Sequence, residues 1–325
     1  MRNRNIFAKT AFLFLSMVLL TLLSGSCRHH TKVGMPGTGA LLSGASVPAY
    51  LFKFVVYGDT RSDPVHGEEP HQIHRNIISK MLTFSPSLVL QTGDLVYKGT
   101  NADEWQLFDE ITTEMRKQVA FYPARGNHDI DPQGDSFQKR VTQPILSGNK
   151  LYYSFEKENI HFIAVDTEQS LKESDAQYRW LEEDLQKAKA ANKVIMPFLH
   201  RALFSIGIHG SDKVLQPILH PLFLKYGIKL VFQGHDHNYY HTVRDGITYV
   251  VTGGGGAPLY DDRNRLLGIA GDVFEKVHHF CVADVYQDRI EISVYRQDLT
   301  QIESFTVLFN KESGEESMPA QAVEN

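Results

Sequence analysis

The stretch FKFVVYGDTR, residues 52–61, decides the fold. Phe52 to Tyr57 is a nearly unbroken apolar run, which reads as a strand buried on both faces. Gly58, Asp59, Thr60 and Arg61 follow at once and make a polar loop at its carboxyl end. The same phrase recurs four times. Ser87 to Gln91 leads into Gly93-Asp94-Leu95-Val96-Tyr97, and Val119 to Tyr122 leads into Gly126-Asn127-His128-Asp129. Val194 to Leu199 ends at His200, and Ile228 to Phe232 leads into Gly234-His235-Asp236-His237. The glycines let the backbone turn sharply where a strand stops. Ligands in open α/β sheets bind beyond the carboxyl ends of strands, so the five loops are expected to converge on one rim.

Between the strands lie amphipathic stretches, the alternation of an α/β domain. Helices are predicted over His71–Leu82, Asp103–Lys117 and Val214–Tyr226. A further helix carries Tyr178, Leu181, Leu185 and Ala188 at helical spacing, with Ser174 and Gln177 as a capping box. Tyr152–Phe155 and His161–Val165 flank a polar turn at Lys157-Glu158-Asn159, a predicted hairpin. Beyond Gly234 the pattern turns all-β. Tyr239–Val243 and Ile247–Thr252 are joined by Asp245-Gly246, a two-residue hairpin signal, and strands fit His279–Val285, Ile290–Tyr295 and Glu303–Phe309. No internal repeat is present.

The chain has 325 residues, ample for an independent core, with ordinary apolar and charged fractions. A net charge of −5 argues against nucleic acid as a partner. The two cysteines, Cys27 and Cys281, cannot frame a disulfide scaffold, and Cys281 reads as a buried strand thiol. Arg2, Arg4 and Lys9, then the apolar run Ala11–Leu23, then Ser24-Gly25-Ser26 have the layout of a secretory signal. The apolar run is shorter than the roughly 20 residues of a membrane span. Cys27 follows the small residues as in bacterial lipoprotein signals, although Leu23 lies one place further from it than is usual. The expected organisation is a signal at 1–26, a flexible tether at 27–50, one catalytic domain at 51–310 and a disordered tail at 311–325. Location is then the periplasm or cell surface, with a lipid anchor at Cys27 holding the chain to a membrane.

Taken singly, the five motifs carry little. A Gly-Asp after a strand is more often a turn than a ligand, and an isolated histidine such as His200 is usually a satisfied core or surface residue. The ordered set of five, each at a strand end, is improbable by chance. It gathers carboxylate, imidazole, amide and phenol groups suited to hard or borderline divalent and trivalent metals.

That set resembles the calcineurin-like metallophosphoesterase family, from about Phe52 to Thr252. The resemblance implies a two-sheet α/β sandwich flanked by helices, and two metal ions bridged by Asp94. It gives Asp59 and His237 to the first metal and Asn127, His200 and His235 to the second, with His128 facing the substrate. Many members carry a metal-binding histidine two residues after the first aspartate, where this chain has Arg61. A guanidinium has no acceptor lone pair and cannot be a ligand. Tyr97 can fill the vacancy, as in the purple acid phosphatases, whose Gly-Asp-x-x-Tyr spacing this chain shares. Two cofactor readings stay open: Fe(III) with Zn, Mn or Fe if the phenol coordinates, or two Mn or Zn ions if Tyr97 merely packs. The larger purple acid phosphatases carry an N-terminal β-sandwich domain, for which Arg28–Tyr50 is expected to be too short.

Arg61, Arg201 and His209 are candidate contacts to a small phosphorylated substrate, since a planar fork suits phosphate oxygens. Asp129 either orients His128 or caps its own turn. Gly253–Gly256 reads as close backbone packing beneath the metals, because no Gly-Lys-Ser/Thr follows. His66, His71 and His74 read as exposed, and His241 as a residue behind the site or on the surface. The expected activity is hydrolysis of a phosphate monoester by a hydroxide between the metals. The alternatives are a phosphodiesterase acting on a nucleotide or lipid headgroup, and a non-catalytic metal-binding surface lipoprotein. Specificity is expected to lie in the loops 131–149 and 205–212.

Overall fold

The structure, a computed structural model, describes residues 48–63 and 65–309. The signal, Cys27, nearly all of the tether and the tail lie outside these residues. Three parallel strands open the domain: β1 (Tyr50–Tyr57), β2 (Leu88–Gln91) and β3 (Ala120–Pro123). A second group follows as β4 (Ser147–Gly148), β5 (Tyr153–Lys157), β6 (Ile160–Val165), β7 (Val194–Leu199) and β8 (Leu230–Gln233). The rest are β9 (Tyr239–Arg244), β10 (Ile247–Thr252), β11 (Val273–Glu275), β12 (His279–Tyr286), β13 (Arg289–Arg296) and β14 (Gln301–Leu308). One sheet runs β14-β13-β12-β1-β2-β3 and the other β11-β9-β10-β8-β7-β6-β5-β4.

The two sheets face each other across an aromatic core. Phe54 of β1 meets Phe162 of β6 edge-on at 5.4 Å and Phe232 of β8 at 6.2 Å. Such edge-to-face contacts add to the apolar area they remove from water. Both strands adjoining β1 are within its own sheet, so its alternate side chains face the sandwich or the helices, and nearly all are buried. Helices α1 (Glu69–Leu82) and α2 (Ala102–Gln118) pair with each other on the first sheet's side. On the far side of the second sheet, α3 (Ala176–Ala190) and α4 (Gln216–Tyr226) bury Leu181, Leu185, Leu219 and Phe223 against Ile163, Val165 and Val231. The four layers match the two-sheet sandwich flanked by helices that the resemblance implies. The Asp245-Gly246 turn forms as read, both residues at positive φ (52° and 77°).

Two local readings change. Ser174 and Gln177 form no capping box: the helix opens after Asp175, without a side-chain cap. Gln177 instead exchanges hydrogen bonds with the backbone of Asp166, accepting from its amide at 2.8 Å and donating to its carbonyl at 2.9 Å. A buried carbonyl and amide after β6 needed partners, and the amide side chain satisfies both. His74 is buried, not exposed; its ring stacks on Phe108 and its Nε2 lies 3.3 Å from the Tyr57 hydroxyl.

Candidate metal centre

All five strand-end motifs meet at one rim between the sheets, as expected. Backbone bonds lock their loops together: the amide of Asp59 donates to the Gly93 carbonyl at 3.0 Å, and that of Gly234 to the His200 carbonyl at 2.9 Å. Two strand-ending glutamines brace them. Gln91 accepts from the Gly93 amide and donates to the Gly93 carbonyl, while Gln233 accepts from the Leu203 amide at 2.6 Å. Asp59, Asp94 and His235 sit at positive φ (56°, 55° and 72°). Each such backbone costs on the order of 1–3 kcal/mol and persists only where the surroundings enforce it, commonly at functional sites.

Four donor atoms close on one point. His200 Nε2 lies 3.1 Å from Asn127 Oδ1, 3.1 Å from His235 Nδ1 and 3.4 Å from Asp94 Oδ1. His200 donates through Nδ1 to the Thr92 carbonyl at 3.0 Å, so in the neutral ring Nε2 is a bare lone pair. Lone pairs of this kind repel unless a cation lies among them, and this donor set fits a metal ion. Ligand atoms of Asp59, Asp94 and His200 also lie within 4.8 Å of one another, all three residues buried. His237 repeats the device: Nδ1 donates to the Pro258 carbonyl at 2.7 Å, which leaves Nε2 free 3.6 Å from Asp59 Oδ1.

Charge follows the same logic. Burial, and then the Asp94 carboxylate, push Asp59 well above the usual carboxylate range. Burial would raise Asp94 too, but His200, His128 and Arg61 hold it below. Two buried carboxylates this close need compensating positive charge. Burial, with His200 next, depresses His235, and burial with Arg61 depresses His237, so both imidazoles are held neutral and ready to coordinate.

His128 stands beside these donors. Its amide donates to Asp94 Oδ1 at 2.9 Å, and its Nδ1 donates to the Tyr97 carbonyl at 2.6 Å. Asp129 takes the turn-capping role, accepting amides from Leu95 (2.7 Å), Val96 (3.2 Å) and Gly126 (2.8 Å) across two loops. The Tyr97 ring stacks on His128 at 5.3 Å and lies against Arg61, whose Cζ is 5.5 Å from the ring centroid. The Glu104 carboxylate of α2 accepts the Tyr97 and Lys98 amides, which fixes this loop to a helix.

The three candidate substrate residues fare differently. His209 is at the site, stacked on His235 at 4.1 Å and edge-on to Tyr260 at 5.5 Å. Arg61 is there too, with Nε 3.3 Å from Asp94 Oδ2 and Nη2 3.2 Å from the Tyr260 hydroxyl. The fork of Arg201 is committed to Glu168, through bonds of 2.8 and 2.9 Å. The glycine run packs as read: a Cβ on Gly253 would strike the Asp236 carbonyl, and one on Gly255 the Gly58 carbonyl.

Two residues were missed by motif reading. Tyr260 stacks on His237 at 4.0 Å and 13°, yet it lies in a loop with no sequence signal. Asp236, inside the Gly-His-Asp-His motif, is fully buried and accepts from the Ser205 hydroxyl at 2.5 Å and the His209 amide at 2.9 Å. Its place between two histidines could have flagged it.

Residues 52–239 match the family model for calcineurin-like phosphoesterases, and the chain belongs to that family. Among known proteins it is similar to purple acid phosphatase 23 of Arabidopsis thaliana, 26% identical over 222 residues, 55% of this chain and 48% of that protein. It is also similar to the Fe(3+)-Zn(2+) purple acid phosphatase 12 of the same plant, 27% identical over 57% of this chain and 43% of that one. The chain spans about half the length of the curated relatives it matches. Among solved structures, purple acid phosphatase PPD1 from yellow lupin shares the fold at a TM-score of 0.67, with 19% identity over 79% of this chain and 54% of that one. GAP50, the anchor in the inner membrane complex of Plasmodium, shares it at 0.63, with 16% identity over 82% and 91%.

Proposed function

We propose that this chain is a metal-dependent phosphoric ester hydrolase acting on small phosphate monoesters. The convergence of Asn127, His235 and Asp94 on His200 Nε2 carries the reading. Asp94, Asn127, His200 and His235 would form one metal station, and Asp59, Asp94 and His237, with Tyr97 beside them, the other. Cations bound there would neutralise charge on the phosphoryl oxygens and lower the pKa of a water molecule. The P–O ester bond breaks as water oxygen joins phosphorus, and the leaving oxygen takes a proton. His128, with Nδ1 donating to the Tyr97 carbonyl, presents Nε2 to hold or deliver that proton. His209 and Arg61 would border the phosphate.

Both cofactor readings carry forward, because the stacking of Tyr97 on His128 and beside Arg61 orients its ring and leaves its hydroxyl to either role. A visible ferric–tyrosinate band from iron-loaded protein would select the iron reading, and its absence the manganese or zinc reading. The resemblance to purple acid phosphatases supports a monoester over a diester. The deciding experiment compares initial hydrolysis rates of an aryl phosphate monoester and a bis-aryl diester, on protein starting at Arg28 and loaded with manganese or with iron plus zinc. Faster diester turnover would move the function to a phosphodiesterase; no turnover with two bound metals would favour a binding protein. Export and acylation at Cys27 belong to the same proposal, and an unmodified mature N-terminus by mass spectrometry would remove them.

A further inference from the structure

Arg61 stands against the donors of the first metal station. It is 8% exposed. Its Nε lies 3.3 Å from Asp94 Oδ2, and its Nη2 lies 3.2 Å from the Tyr260 hydroxyl. Its Cζ lies 5.5 Å from the centre of the Tyr97 ring, and Tyr260 in turn stacks on His237. The guanidinium is therefore ringed by Asp94, Tyr97 and, through Tyr260, His237, three of the four groups set around that station.

The two oxygens of Asp94 are divided. Oδ1 faces His200 and the His128 amide, whereas Oδ2 faces Arg61. A carboxylate that bridges two metals needs both sides free of a competing cation. A guanidinium cannot withdraw by losing its proton, since it stays charged at any working pH. A divalent ion about 4 Å from a guanidinium loses roughly thirtyfold in affinity to their repulsion in water, and far more where water is excluded.

We infer that Arg61 is a built-in cation standing in for the first metal, so that the chain holds one divalent ion tightly and a second only weakly. The tight ion sits at the station of Asp94, Asn127, His200 and His235. The weak station keeps Asp59 and His237 as its own donors, with Asp94 shared against a permanent charge. The site then presents a metal and a guanidinium side by side to an incoming phosphate. This inference rests on the metal-centre reading above.

The test counts bound metal. Protein stripped with a chelator is titrated with Mn(II) by calorimetry, then desalted, and the retained manganese is measured by elemental analysis. Wild type is expected to retain one equivalent, with a second site at least about tenfold weaker. Arg61→Gln removes the charge and keeps a polar side chain of similar reach; it is expected to retain two. His200→Ala is expected to lose the retained ion and His237→Ala to keep it. Two equivalents of similar affinity in wild type would overturn the inference, and this arm needs no variant to fold. Equal retention by wild type and Arg61→Gln, or loss of the ion in His237→Ala but not His200→Ala, would overturn it too. No retained metal in any form, with zinc and iron tried as well, would instead sink the metal-centre reading itself.

Discussion

A Cβ placed on Gly93 would lie 2.5 Å from His200 Nδ1, closer than any real side chain approaches. Gly93 also has φ +103°, a conformation that residues with a side chain rarely adopt. The glycine before Asp94 is thus fixed by the imidazole it lets through. Gly93→Ala is expected to cost a few kcal/mol in stability and to displace His200 from its donor cluster. Retained metal and thermal midpoint should both fall; an alanine variant that keeps its metal would disprove the packing argument.

His128 is set apart from the donors by its bond to the Tyr97 carbonyl. His128→Ala is expected to lower kcat by about 10²- to 10⁴-fold, with retained metal unchanged. Turnover within threefold of wild type would remove the histidine from the chemistry.

Asp236 ties down the loop that carries His209. Its carboxylate accepts from the Ser205 hydroxyl and from the amides of His209 and Gly210. Asp236→Asn replaces one acceptor by a donor, at a cost of about 1–3 kcal/mol. Amides 205–210 should exchange faster and KM should rise several-fold, while retained metal stays constant. Unaltered exchange in that loop would show that the carboxylate does not hold it.

His74 gives the fold a pH dependence of its own. Burial, then His71 and Arg75, depress it to about 3 from an ordinary 6.5. Between those values the unfolded chain binds more protons than the folded one, so stability falls as pH drops below about 6.5. The slope from this one group is up to about 1.4 kcal/mol per pH unit. His74→Gln keeps a hydrogen-bonding partner for Tyr57 and cannot titrate. Urea unfolding at pH 7.5, 6.0 and 5.0 should show wild type losing stability faster than the variant. Parallel loss would assign the acid sensitivity elsewhere.

The strands were legible because a buried strand writes its apolar run locally, and the converging strand-end loops because each follows such a run at once. The Asp245-Gly246 hairpin formed where it was read, since both residues tolerate positive φ. The capping box at Ser174 failed because a tertiary partner competed: the unpaired backbone of Asp166 claimed Gln177. His74 looked like one more polar residue on a helix, and only the packing of α1 against Phe108 and Tyr57 decided that it is buried.

By itself the sequence determined the α/β alternation of strands and helices and, through its five ordered motifs, the family, because apolar runs and the polar residues that follow them are written locally. Tertiary structure alone decided which donors meet and what stands among them. Arg61 is far in sequence from Tyr260, and closure of the two sheets brings them within 3.2 Å. Asp94 and Arg61 come from different strand ends, and only the parallel pairing of β1 with β2 sets charge against charge there. No local pattern encodes that meeting, because its energy arises from desolvating two distant groups together.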